Sequence, residues 1–191
     1  MNANTEDWLH RHRLNVDEYY RMVEVGLLAP DARVELIEGE IIDMAPPGSR
    51  HAAVISFLNQ AVTAAVGKSA IVSVQQPVRL SRSSEPQPDL AVLRARKDFY
   101  SRTHPTGPDV LLLVEVSDSS VRYDRQIKLP LYARHGVHEF WLVDVSKREL
   151  SVFRSPQDGG YTEVTATMAP GITTAALLQE APIDLTGLFD L

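Results

Sequence analysis

The chain has 191 residues, 44% of them hydrophobic and 23% charged, which is enough to close one good core and gives no reason to expect a second domain. It contains no cysteine, which excludes disulfides, thiolate metal sites and cysteine nucleophiles together. A formal net charge of -6 argues against a protein that coats nucleic acid through a broad basic face.

The start, MNANTEDWLHRHR, is polar, and no apolar run approaches the roughly 20 residues needed to cross a bilayer. A soluble, cytoplasmic protein with no membrane contact is therefore expected. The charge is unevenly spread. Acids dominate up to Asp43 and again after Arg154, while Arg79, Arg82, Arg94, Arg96, Lys97 and Arg102 reverse the balance locally. Those cations read either as a local basic surface or as an ordinary solvated face.

In chain order, Asn15 to Val25 has the signs of a short helix, with Asn15 as N-cap, Asp17 and Glu18 in the first turn and Gly26 past the end. Val34 to Met44 reads as a β-hairpin turning at Glu38-Gly39, with Glu35 on its first arm. From Ser49 to Val66 the apolar residues Val54, Phe57, Leu58, Ala61, Val62 and Ala65 recur at helical spacing, and Gly67 ends the pattern. His51 falls in the first turn of that helix. Ile71 to Val74 and Val78 to Leu80 are expected as strands, followed by the polar, proline-rich Ser81 to Pro88. Asp89 then stands at the entry to a strand through Leu93.

Val110 to Val116 is an apolar run suited to a strand buried on both faces. Glu115 interrupts it, and an unpaired ionised carboxylate there would cost several kcal/mol. A cation is the natural compensation. Val121 to His135 carries a helical pattern interrupted by Pro130, which predicts a kink or an irregular turn near Gln126. His138 to Val145 and Glu149 to Arg154 alternate like paired strands, and the remainder reads as edge strand and wrapping.

This order predicts a mixed sheet flanked by helices. No internal repeat, P-loop, dinucleotide fingerprint or Gly-x-Ser-x-Gly elbow is present. The remaining chemistry lies in carboxylates and one lysine. Asp89 and Glu115, at the ends of strands that can be neighbours, suit a hard cation such as Mg²⁺, which favours oxygen ligands and keeps several waters. Asp124, Lys128 and Tyr132 are spaced four apart, so they share one helical face that can reach the same place.

Pro88-Asp89, Val114-Glu115-Val116-Ser117, Tyr123-Asp124-Arg125, Lys128 to Ala133 and Gly136 to Asp144, taken in that order, resemble the Uma family of restriction-endonuclease-like proteins, within the PD-(D/E)XK nuclease superfamily. Glu35 to Ile41 and His51 extend the likeness, which covers about Val16 to Arg154. The resemblance implies an α/β (α+β) restriction-endonuclease-like domain over residues 1–191, with an added N-terminal hairpin and C-terminal strands. It implies Asp89 and Glu115 as metal-binding, catalytic acids and Glu35 as a further acid at the metal. In the simplest superfamily motif a lysine stands two residues after the second acid, but Ser117 occupies that position. The resemblance assigns the ammonium to Lys128 instead, with His51, Asp124 and Tyr132 in supporting roles. The implied activity is a Mg²⁺-dependent endodeoxyribonuclease, with Mn²⁺ as a substitute, DNA as substrate, a metal-activated water as nucleophile and a homodimeric state.

Residue by residue, plainer readings stand beside these. Asp89 after Pro88 is also a common turn residue. Glu115 could pair structurally with Arg79 or Arg94. Lys128 could be a solvated helix lysine, and Tyr123, Tyr132, Phe140 and Trp141 have packing spacing. A nuclease-fold protein that no longer cuts and serves as a binding or assembly module is the alternative at the level of function. A metal-dependent hydrolase of another phosphate ester is a third reading.

Overall fold

The computed structural model describes residues 11–191; Met1 to His10 lie outside the described residues. The elements follow as α1 (Val16–Glu24), β1 (Val34–Ile37), β2 (Glu40–Asp43), α2 (Ser49–Val66), β3 (Ala70–Val74), β4 (Leu90–Arg94) and β5 (Val110–Ser117). After these come α3 (Val121–Tyr123), a π-helical turn (Asp124–Lys128), α4 (Leu129–Arg134), β6 (Glu139–Asp144), β7 (Glu149–Gln157), β8 (Gly160–Thr167), β9 (Ile172–Thr173) and β10 (Ile183–Asp184).

Six strands form one sheet in the order β3-β4-β5-β6-β7-β8. Every neighbouring pair is antiparallel except β5 and β6, which run parallel. That parallel pair needs a crossover, and α3, the π turn and α4 supply it. The result is the expected mixed sheet flanked by helices. β5 is buried along all eight residues, so its two sets of side chains serve different layers. Leu112, Val114 and Val116 join Val54, Leu58 and Val62 of α2 in one core. Val110 and Leu113 join Tyr132, Phe140 and Leu142 in the other.

The hairpin turns at Glu38 and Gly39, both at positive φ, as a tight two-residue turn requires. Gly39 has a second constraint, since a Cβ there would lie 2.6 Å from Cβ of Arg13. α1 begins with a complete capping box: Asn15 accepts from the Glu18 amide, and Glu18 accepts from the Asn15 amide. Its buried Val16 and Tyr19 pack on Val34 and Leu36, holding the hairpin against the body of the molecule.

Val78 to Leu80 is not a strand. The amide of Val78 bonds to Pro86 and that of Arg79 to Pro105, so the segment is shared between two loops and pairs with no continuous neighbour. Of the cations that read either as a local basic surface or as a solvated face, three have local partners. Arg79 pairs with Glu85, Arg96 with Asp98, and Arg94 donates to the Pro108 carbonyl.

Candidate active site

The site begins with the pleat of β5. Side chains alternate across a strand, so Glu115 points with Leu113 toward the α4 layer while Val114 and Val116 face α2. β4 pairs with β5 so that Leu90 lies opposite Val114, which brings Asp89 beside Glu115. The two acids are tied reciprocally. The Val116 amide donates to Asp89 Oδ2 at 2.9 Å, and the Asp89 amide to Glu115 Oε2 at 3.4 Å.

The helical crossover delivers the cation. Pro130 has no N–H to return to Gln126, and the backbone just before it widens into the π turn, with the Leu129 amide bonded to the Asp124 carbonyl. Asp124 and Lys128 in that turn are both buried, and Tyr132 follows on α4. Lys128 Nζ lies 3.0 Å from Glu115 Oε1 and 3.2 Å from Glu35 Oε2, while the Tyr132 hydroxyl donates to Glu115 Oε1 at 2.5 Å. Glu115 thus pairs with Lys128 and not with Arg79 or Arg94.

Glu35 comes from β1, where Gln87 N–H and Tyr123 O–H also donate to it. Asp124 accepts from the hydroxyls of Ser117 and Ser120, so the residue at the simplest motif's lysine position supports the cluster as a hydroxyl donor. From α2, His51 Nε2 approaches Asp89 Oδ2 to 3.2 Å. All seven residues expected from the sequence, Glu35, His51, Asp89, Glu115, Asp124, Lys128 and Tyr132, therefore line or underlie one place. Two contributors were not anticipated. Tyr123, expected in the core, is half-buried on the cleft and reaches Glu35. Gln75 donates to Asp89 Oδ1 at 3.2 Å from a backbone with φ of 50°, a left-handed conformation costly for a residue with a Cβ. The polar step Gln75-Gln76-Pro77 straight after a strand was its only signal.

Charge is concentrated here. Glu35, Asp89, Glu115 and Asp124 are all buried, with Lys128 as the buried ammonium among them. Burial pushes the Glu115 carboxyl up to about 8; Lys128 pulls it back, and Asp124, Asp89 and Glu35 raise it further. Burial disfavours the Lys128 ammonium, but Glu115, Glu35 and Asp124 outweigh it and raise the lysine. Burial likewise works against the Asp89 carboxylate, yet His51, the Val116 amide and Gln75 hold it below its ordinary range. The hydrogen bond to Asp89 in turn raises His51.

Among the described residues no group of three or more His, Asp and Glu closes on a point that could hold a metal ion. Glu35 meets the cluster through Lys128, Gln87 and Tyr123. Asp89 and Glu115 remain as a side-by-side pair of hard oxygen donors within a surplus of buried negative charge. That donor set fits Mg²⁺, which is commonly held by one or two carboxylates and keeps several waters.

A mixed sheet whose central acids meet a helix-borne lysine defines a restriction-endonuclease-like nuclease fold. The chain belongs to the Uma2 family, described as putative restriction endonuclease, whose model matches residues 16–185. The crystal structure of a putative nuclease belonging to DUF820 from Anabaena variabilis shares the fold, with a TM-score of 0.68 and 18% identity over 93% of this chain and 98% of that one. No curated protein matches the chain.

Proposed function

We propose that this cleft hydrolyses DNA phosphodiester bonds with a divalent cation, Mg²⁺ or Mn²⁺, held by Asp89 and Glu115. The observation that carries the reading is the meeting of two adjacent carboxylates with one ammonium, Lys128 Nζ standing 3.0 Å from Glu115. When bound, the cation supplies Lewis acidity to the phosphate and acidifies a water. The protein's own groups prepare the rest. His51 and Gln75 engage the two oxygens of Asp89, and Tyr132 holds Glu115, so both carboxylates are fixed side by side. Lys128, steadied by Glu35, places a compact positive charge where the phosphate becomes more negative in the transition state.

Asp89→Ala and Glu115→Ala are expected to abolish both Mg²⁺-induced thermal stabilisation and cleavage of plasmid, linear and single-stranded DNA. Mg²⁺-dependent cutting that survives in both variants would sink the assignment. Wild-type protein that binds DNA but cuts none of the three substrates would be the non-catalytic binding module instead.

A further inference from the structure

The acids lie at the floor of a cleft of about 800 Å³, and its walls do not suit a duplex. Seven lining residues are acidic. Four are the buried Glu35, Asp89, Glu115 and Asp124, and three, Asp31, Asp43 and Asp118, are exposed. The lining cations are Arg33 and Lys128, with His51 beside Asp89, and Lys128 is already held between Glu35 and Glu115. None of the six cations from Arg79 to Arg102 lines the cleft. With Glu115 3% exposed and Glu35 1%, a phosphodiester meets these groups only by entering the recess.

Duplex DNA carries one charge per about 1.7 Å of axis, and proteins that grip it neutralise phosphates with several Lys and Arg at once. The exposed part of this lining offers one arginine among three carboxylates. A single strand also needs positive charge along its backbone, but it is flexible enough to lower one phosphate into a recess toward Lys128 and Arg33, and its unpaired bases stack on aromatic walls. Such walls are present. Tyr123 is half-buried on the helical side, anchored through its hydroxyl to Glu35. Met44-Ala45-Pro46-Pro47, between β2 and α2, also lines the cleft, with residues 45–47 exposed.

We infer that the cleft takes an unpaired DNA strand in preference to an intact duplex, with Tyr123 stacking a base next to the scissile phosphate. The inference deepens the phosphodiesterase reading above and rests on it. The Tyr123 hydroxyl orients the ring and the ring carries the contact, so the two roles separate by substitution.

The test measures fluorescence anisotropy of a labelled oligonucleotide, single-stranded or annealed to its complement, on the full chain with Ca²⁺ in place of Mg²⁺, followed by cleavage rates of both forms in Mg²⁺. The single strand is expected to bind and to be cut at least about 10-fold better than the duplex. Tyr123→Leu is expected to weaken single-strand binding about 10-fold, and Tyr123→Phe to leave it within about 2-fold, in line with a stacking contact. Should Tyr123→Leu fail to fold, Met44→Ser carries the same comparison on the other wall. Equal or better binding of the duplex overturns the inference, as does a folded wall variant that binds like wild type. Tight, Tyr123-dependent binding of a strand that is never cut in Mg²⁺ or Mn²⁺ would remove the hydrolytic reading and leave the strand preference standing. Efficient cutting of both forms alike would do the reverse.

Discussion

Glu115 concentrates the electrostatic tension of the site. Its carboxyl is pushed up to about 8 from an ordinary 4.5, because burial and three neighbouring carboxylates outweigh one ammonium. A folded value above the unfolded one means that this group favours folding most at low pH, and that the contribution fades as pH rises from about 4.5 through about 8. On the proposed reading a divalent cation would reverse the preference, because it needs the ionised form and releases the proton on binding. Stabilisation by Mg²⁺ is therefore expected to grow between about pH 6 and about pH 8.5, the window of that titration. Differential scanning fluorimetry at fixed Mg²⁺ across this range measures it. Glu115→Gln, which cannot ionise, should flatten the dependence; an unchanged slope in that variant would place the titrating group elsewhere. Lys128 gives a companion expectation. Its removal leaves Glu35 and Glu115 without their ammonium, and breaking a buried pair from one side costs about 3–5 kcal/mol. Lys128→Ala should lower the urea-unfolding free energy by that order, whereas a solvated helix lysine would change it by less than about 1 kcal/mol.

The π turn is the element that makes the lysine available. One extra residue in a turn shifts the register of the following helix by about 100° relative to a straight α-helix of 3.6 residues per turn. Asp124 and Lys128, within it, both end up buried. Pro130→Ala restores the missing donor and allows the segment to relax toward regular α-helix. The fold should survive, while on the proposed reading a displaced Lys128 lowers kcat by about 10–100-fold with KM nearly unchanged. Unaltered kcat would mean that packing on α4, not Pro130, sets the turn. This irregularity was legible in the sequence, because a proline inside a helical pattern has a mechanical consequence wherever it sits. The pairing of Asp89 with Glu115 was legible too, through the strand order and the oddity of an acid inside an apolar run. Val78 to Leu80 misled because a three-residue apolar-polar-apolar alternation does not specify a partner, and the neighbouring loops took the amides instead. Gln75 stayed hidden for a related reason: its role depends on a left-handed backbone that only the assembled loop imposes. Tyr123 was placed in the core because aromatic spacing on a helix says which residues share a face, and not whether that face ends at solvent.

At the scale of the whole molecule, the sheet puts the acidic cleft and the anchor of the C-terminal segment on opposite faces. Glu139 stands on β6 in phase with Trp141 and Val143, whose side chains pack in the α2 core, so it lies on the opposite face from Glu115. It is fully buried and accepts from the Trp141 indole at 2.5 Å, from Arg154 Nη2 at 3.0 Å and from the Ala176 amide at 2.6 Å. The last bond fastens the C-terminal segment, whose Ala175, Leu178, Ile183, Leu185 and Leu188 complete that core. Glu139→Ala strips the arginine, the indole and the amide of their shared acceptor, and the loss of one partner of a buried charged network costs about 3–5 kcal/mol. The expected outcome is a large fall in unfolding free energy by urea titration, together with Mg²⁺-dependent stabilisation of the remaining folded protein that matches wild type. The Asp89 and Glu115 variants should lose the response to metal in whatever protein stays folded, because they remove the oxygens proposed to hold it. A Glu139→Ala protein that stayed folded but lost its metal response would show that the two faces of the sheet are coupled, and that the position of β5 depends on the C-terminal segment held behind it.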